Sequence, residues 1–380
     1  MVTTQTQHVA DKGWDFPEPI HPGEHLEDFL LEAGLSQAEL AERVGLTKKA
    51  VNEIIKGKNP ITENTAFRLS KIFAVSPEFW MNLQNDYDAK VAAQQEAARL
   101  AQEAEQYLPH FRETYTELVR LGVVEKLMWS KNNLIEIARS LQSFFLVGSL
   151  KYVEDRTMKF AFFRKYERAN LNPYTLAAWV QLGMRKATQT KVKPFDKAQL
   201  RERLSEIKKL SQKPWQEYVV ELESVLAECG VVLVYAPKMK NSFAQGATHW
   251  IDSDTVLLML NTHNQDEGKF WFNLFHELGH ILLHGKKNVY IDFENGDRSQ
   301  EEEEADAFAQ KWLIPQIKSF GKDLHTTDSL EEAITTFAKK NDVSPAIVAG
   351  RLTHEHRDDI DGIYSLMSPF LKERIQYTNL

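Results

Sequence analysis

The chain has a single cysteine, Cys229, among 380 residues, and no apolar run long enough to cross a bilayer. One thiol excludes an intramolecular disulfide and a zinc site built on cysteines. Cys229 lies between Leu226 and the apolar run Val231, Val232 and Leu233, where packing is its expected role. Positive charge is also short: 46 Lys and Arg stand against 54 Asp and Glu, a net charge of -8. A global field for nucleic acid is therefore not expected. The first fifteen residues are polar and lack the apolar centre of a secretion signal, so the expected location is the cytoplasm. Hydrophobic residues make up 43%, enough for ordinary cores, and the length predicts two or three domains.

The most informative stretch is His276-Glu277-Leu278-Gly279-His280. Two histidines four apart on a helix share one face and can reach one zinc ion. The glutamate between them is placed to take a proton from water that the metal activates. Phe270, Trp271, Phe272, Leu274 and Phe275 precede the motif, Ile281, Leu282 and Leu283 follow it, and Gly285 closes the run. That pattern predicts a long buried helix. Buried histidines and a buried glutamate need partners, because unpaired polar groups in a core are costly. The alternative for this stretch is two core histidines satisfied by neighbours and one partly exposed glutamate.

A catalytic zinc needs a third protein ligand and an open position. His284 continues the i+4 series, yet three histidines over two turns of a straight helix drift apart. Lys286 and Lys287 stand where the third histidine of an extended three-histidine pattern would fall. His284 is expected to hydrogen-bond or to face solvent. The alternative ligand is a glutamate on a following helix. Ser299 with Glu302 three residues on reads as a capping box, so a helix is predicted from there. Glu304, Phe308 and Trp312 share a face at i, i+4 and i+8, which points Glu304 toward the motif helix. Glu301 is the fallback one turn earlier, and Asp306 is expected to contact a ligand rather than the metal. His249 and Tyr290 are weak candidates for stabilising an oxyanion.

Residues 276–284, with Glu304 to Ala309 and Leu313, Ile314 and Pro315 downstream, resemble the ImmA/IrrE-type metallopeptidases over roughly residues 225–355. The resemblance implies Zn2+ held by His276, His280 and Glu304, with Glu277 as general base in a zinc metalloendopeptidase. It also implies a role in regulation, beside a DNA-binding repressor.

The other end of the chain supports that pairing. Ser36 with Glu39 reads as a second capping box, Leu40, Ala41 and Val44 as one apolar face, and Gly45 as a tight turn. Thr47 then starts a helix whose Val51, Ile54 and Ile55 point inward. This is the spacing of a helix-turn-helix, whose second helix enters the major groove. Residues 43–58 carry Arg43, Lys48, Lys49, Lys56 and Lys58 against Glu53 alone, so basic charge concentrates on the reading surface. The candidate DNA contacts are Gln37, Thr47, Lys48, Lys49, Asn52 and Lys56. With His21-Pro22-Gly23-Glu24 ahead and Ser76-Pro77-Glu78-Phe79-Trp80 behind, residues 18–88 resemble the Xre-type domain of HigA-family antitoxins. The resemblance implies binding of double-stranded operator DNA, repression of the protein's own operon, a homodimer, and a RelE/HigB-like toxin as partner. The chain runs nearly three hundred residues beyond this domain, unlike a simple antitoxin.

Between the two lies a helix-rich stretch. The expected organisation is a helix-turn-helix domain over 18–88, a connecting helix over 89–128, a helical region of unassigned role over 129–228, a peptidase domain over 229–355, and a tail over 356–380. Val231 to Tyr235 and Val256 to Leu260 read as strands, with Gly246 to Ile251 between them, which predicts a small sheet packed on the motif helix. The sheet edge could take an extended substrate by strand addition. Leu330 to Lys340 and Ser344 to Leu352 read as helices. Phe160, Phe162, Phe163, Tyr166 and Trp179 are expected in the core, and Arg156, Arg164, Lys165 and Arg168 on a solvated face. The fold class is thus mainly α with a small α+β part: an N-terminal helix-turn-helix bundle, a helical middle, and a C-terminal zincin-like domain. The functional expectation is a DNA-binding regulator that cleaves a partner protein or itself. The alternative is a repressor whose metal-binding domain senses a signal or binds a toxin without proteolysis.

Overall fold

The computed structural model describes residues 19–153, 171–263, 265–285, 290–293, 299–317, 319–320, 329–355, 367–372, 374–375 and 377–379. It divides into two compact units, residues 1–102 and 103–380. The aromatic and basic residues between 156 and 168 lie outside the described residues, as do Lys286, Lys287 and His356.

In the first unit four short helices, α1 (Pro22–Glu32), α2 (Gln37–Val44), α3 (Lys48–Ile55) and α4 (Glu63–Phe73), pack with the start of α5 (Pro77–Tyr107). Each short helix begins on a side-chain cap that satisfies a free backbone N–H. His21 Nδ1 accepts from Gly23 N, and Ser36, Thr47 and Thr62 accept from Glu39, Ala50 and Thr65. Gly45 stands at φ 62, a left-handed turn that side chains resist, and it aims α3 away from α2. Arg68 Nη1 holds the end of α2 by donating to Val44 O at 2.8 Å and Gly45 O at 3.1 Å. Leu26, Leu40, Val51, Ile54, Ile61, Leu69 and Trp80 fill the core. Any Cβ on Gly23 would lie 2.0 Å from Ile54 O, so α1 and α3 meet backbone to backbone there.

The expected connecting helix over 89–128 is not one helix. α5 ends at Tyr107, a 3-10 turn carrying Pro109 follows, and α6 (Arg112–Arg120) starts afresh. Proline lacks the N–H that would extend the helix and its ring clashes with the preceding turn.

The second unit continues with α7 (Leu134–Phe145), α8 (Pro173–Gln189), α9 (Lys197–Leu210) and α10 (Trp215–Glu228). Then come β1 (Val231–Ala236), β2 (Ala244–Trp250), β3 (Val256–Asn261), β4 (Gln265–Asp266) and α11 (Glu267–Leu283). After them follow β5 (Tyr290–Phe293), α12 (Gln300–Leu313), α13 (Leu330–Lys340), α14 (Pro345–Glu355) and β6 (Arg374–Ile375). The main sheet has the order β1-β3-β2-β5. β1 and β3 pair in parallel, whereas β2 runs antiparallel to β3 and to β5. β4 and β6 form a separate small ladder. Every residue of β1 and β3 is buried, as expected for central strands covered on both faces. One cover is α8, where Gly183 lets the helix settle against Met259. Trp179 is fully buried on α8 and donates to Pro237 O at 3.1 Å, so it is core as expected. Cys229 is buried at the turn into β1.

α11 and α12 cross closely. A Cβ on Gly279 would stand 3.1 Å from the Cα of Ala305, so the two helices approach closely where Gly279 faces Ala305. Among the described residues, no helix is long and apolar enough to cross a membrane.

Candidate active site and nucleic-acid interface

α11 begins with Asp266 accepting from Lys269 N, and twelve of its residues are buried, His276, Glu277 and His280 among them. His276 Nε2 and His280 Nε2 lie 3.0 Å apart. Glu302 Oε2 from α12 completes the group, 3.0 Å from His276 Nε2 and 3.6 Å from His280 Nε2. These three donor atoms all lie within 4.8 Å of one another. Donors held tetrahedrally at about 2.0–2.1 Å from zinc stand roughly 3.4 Å apart, so the spacing suits that ion. Two histidine ring nitrogens and one carboxylate also match the donor set of catalytic zinc.

The third position departs from the sequence expectation. Glu304 does not join the histidine pair; it stands about 200° round α12 from Glu302, on a half-exposed face. The inward stripe of α12 is Glu302, Ala305, Ala309 and Leu313. Phe308 is buried on the flank of that stripe with its ring close to Gly279, and Trp312 packs partly buried against the same core, so both enter the core as expected while Glu304 does not follow them. Glu302 also caps differently from expectation. Its backbone N–H donates to Ser299 Oγ at 3.3 Å, while its carboxylate turns to the histidines. Glu301 takes no part in the donor group among the described residues.

Glu277 lies beside this group, wholly buried. Thr248 Oγ1 on β2 donates to its Oε2 at 2.6 Å, and its Oε1 has no hydrogen-bond partner. Gly246, two residues back on the same face of β2, leaves the space that Oε1 occupies. Burial pushes the Glu277 carboxyl up to about 8, against the pull of the nearby His276. Burial likewise lifts Asp292 on β5, opposite Gly246, to about 7. Glu302 goes the other way. Burial would raise it, but the His276 and His280 rings that face it outweigh that and hold it down to about 2. Burial also opposes charge on His276, yet Asp306 and Glu302 together hold its ring well above the usual histidine range. His280, with burial dominant, is lowered.

Behind the donor group, His276 Nδ1 meets Asp306 Oδ1 at 2.9 Å, the contact expected of Asp306. His280 Nδ1 meets His284 Nδ1 at 2.9 Å, and His284 Nε2 meets Glu304 Oε2 at 3.2 Å. Tyr290 lies flat on His280, 4.3 Å between ring centres, so it packs the ligand. His249 falls on the opposite face of β2 from Thr248. His354 pairs with Arg351 on α14, apart from the donor group. Sequence reasoning missed Glu302 as a donor, together with Gly246, Thr248 and Asp292. The alternation of Gly246 and Thr248 on a strand beside the motif helix was the available signal.

In the first unit, α3 turns Val51, Ile54 and Ile55 into the core and leaves Lys48, Lys49 and Lys56 exposed. Asn52, on α3, and Gln37, at the start of α2, are half-buried. Thr47 caps α3 through Ala50 N, so its hydroxyl proton stays available to a phosphate. Lys49 pairs at 3.7 Å with Glu53, which Asn59 also holds at 2.9 Å.

Residues 26–80 match the helix-turn-helix family and residues 228–353 match the IrrE N-terminal-like domain. Virulence-associated protein I of Dichelobacter nodosus is 41% identical over 76 residues, 20% of this chain and 70% of its own length. Antitoxin HigA-1 of Vibrio cholerae serotype O1 is 34% identical over 71 residues, 18% of this chain and 67% of its own. A solved structure of Pseudomonas aeruginosa antitoxin HigA with the higBA promoter is 37% identical, covering 22% of this chain and 90% of that one, with a TM-score of 0.21.

Proposed function

Because the chain belongs to the HigA-type helix-turn-helix family through its N-terminal domain and carries an IrrE/ImmA-like peptidase domain toward its C-terminus, we propose that it is a DNA-binding regulator with zinc-dependent endopeptidase activity. Residues 18–88 read the operator and residues 229–355 hydrolyse a peptide bond in a regulatory partner or in the chain itself.

The observation that carries the hydrolytic half is Glu277. Its buried Oε1 has no partner, and holding a metal makes no use of it. A buried carboxylate oxygen left bare is costly, so its retention beside a donor group points to a chemical task. His276, His280 and Glu302 would hold the zinc, which supplies Lewis-acid polarisation of a carbonyl and acidifies water. Glu277 Oε1 takes one proton as the water oxygen adds to the peptide carbon. The same carboxyl then gives that proton to the leaving nitrogen as the C–N bond breaks. Thr248 anchors Oε2, so Oε1 is the atom that moves the proton.

For the DNA half, Lys48, Lys49, Lys56 and Thr47 contact phosphates, and Asn52 and Gln37 reach base edges from α3 and from the start of α2. A homodimer would present two reading helices to two half-sites one helical turn apart. A RelE/HigB-like toxin or another regulatory protein is the partner class, as binding partner or as substrate.

The test is incubation of the full chain with the product of the adjacent gene, with and without a chelator. Fragments that form without chelator and not with it support hydrolysis. An intact complex under both conditions contradicts it.

A further inference from the structure

The geometry points to His284 and Glu304 as positioning residues that set the tautomer and the orientation of His280. The inference rests on the metal-centre reading above, since its purpose is to free His280 Nε2 for a metal.

The chain of contacts has a direction. Gln300 Nε2, one turn earlier on α12, donates to Glu304 Oε1 at 2.8 Å and so fixes the carboxylate. A carboxylate only accepts. Across the 3.2 Å contact, His284 therefore donates Nε2–H to Glu304 Oε2. With that proton placed, the other nitrogen of a neutral His284 ring is an acceptor. His280 lies 2.9 Å from it and must donate from Nδ1. His280 Nε2 is then left with its lone pair directed at the donor group. Tyr290 stacks on His280 at 4.3 Å and lies tilted beside His284 at 5.3 Å, so one aromatic ring packs against both members of the relay.

His276 needs no such intermediary, because Asp306 Oδ1 meets its Nδ1 directly. His280 lies deeper. Its side chain is 1% exposed, while that of Glu304 is 46% exposed, and His284 at 6% bridges the difference. Each histidine thus has a carboxylate behind it, one in contact and the other a ring away. The outer partner of a ligating histidine commonly fixes its tautomer and raises its basicity. Glu304 thereby has a role, one step removed from the ligand position that the sequence suggested. The eight-residue spacing of His276 and His284 has one too: His284 lies too far along the helix to bind the same ion and one turn beyond His280.

Two measurements on the full chain test this. The first is nitrogen-15 NMR of the histidine rings in metal-free protein at pH 8. The parent should show His284 protonated on Nε2 and His280 on Nδ1, and Glu304→Ala should turn His284 into a mixture. A parent His284 protonated on Nδ1 alone would overturn the relay. The second is zinc affinity by competition with a chelator. His284→Ala and Glu304→Ala should each weaken zinc by about ten- to a hundred-fold. Glu304→Gln, whose amide oxygen still accepts from His284, should recover most of the loss. Unchanged affinity in His284→Ala would overturn the positioning role. If the parent shows the expected tautomers and yet binds no zinc, the relay stands and the metallopeptidase reading fails.

Discussion

Gly246 sits directly against the Glu277 carboxylate: a Cβ at that position would stand 2.2 Å from Oε1. The proposed base therefore has its place because β2 carries no side chain there. Gly246→Ala should push the Glu277 carboxylate aside without touching the three donors. Zinc affinity should stay within about two-fold of the parent, while cleavage falls by about a hundred-fold, the scale of an ångström of misplacement. Equal cleavage by parent and variant at matched zinc content would remove Glu277 from the chemistry.

Burial of Glu277 has a measurable pH signature in the metal-free protein. Its carboxyl is raised from 4.5 to about 8 in the folded chain. Between those values the folded protein keeps a proton that the unfolded chain has lost, so stability is greatest at low pH and falls as pH rises through the window. Glu277→Gln keeps the shape and removes the charge. At pH 9 with chelator present, the variant should resist denaturant better than the parent, by on the order of a few kcal/mol. The difference should vanish near pH 4. Asp292, raised to about 7, acts with the same sign, and because its charge helps lift Glu277, the gain in Glu277→Gln includes relief of that repulsion.

Glu302 and Glu304 should separate cleanly. Glu302→Ala removes a direct donor and leaves His276 and His280 facing each other at 3.0 Å with no carboxylate between them. Its zinc affinity should fall by more than the roughly hundred-fold ceiling expected for outer partners. Equal losses from Glu302→Ala and Glu304→Ala would reverse the assignment.

On the DNA side, Lys48→Ala should weaken operator binding about equally across sequences and lower the salt slope by about one. Asn52→Ala should cost about 1–3 kcal/mol at one base pair and relax preference there. Neither change should alter zinc content. Binding to the upstream DNA that is indifferent to both substitutions would remove α3 as the reading helix.

Much of this was legible in the residues. The histidine motif, its buried helix and the caps at Ser36, Thr47 and Ser299 were readable because capping and periodicity are local. The helix over the motif stops at Leu283, with His284 as its cap and Gly285 just beyond, as the glycine suggested. The strands over 231–236 and 256–261 were readable as unbroken apolar runs, but their parallel pairing depends on what packs around them. Glu302 was hidden for two reasons. Its place three residues after Ser299 explained it as a capping partner, and the bulk of Phe308 and Trp312 drew the inner face toward Glu304. The true stripe runs through Ala305 and Ala309, whose small size matters only once Gly279 is known to lie against them. Thr248 and Gly246 carry no motif at all; a strand beside the motif helix gives them meaning.

The central claim is that His276, Glu277, His280 and Glu302 form a hydrolytic site in which Glu277 moves the proton. The most direct measurement incubates a proteome-derived peptide library with zinc-loaded parent or Glu277→Gln at equal zinc content and reads new peptide N-termini by mass spectrometry. The account predicts new termini with the parent and none above background with the variant. The same termini from both proteins, or none from the loaded parent, would contradict it.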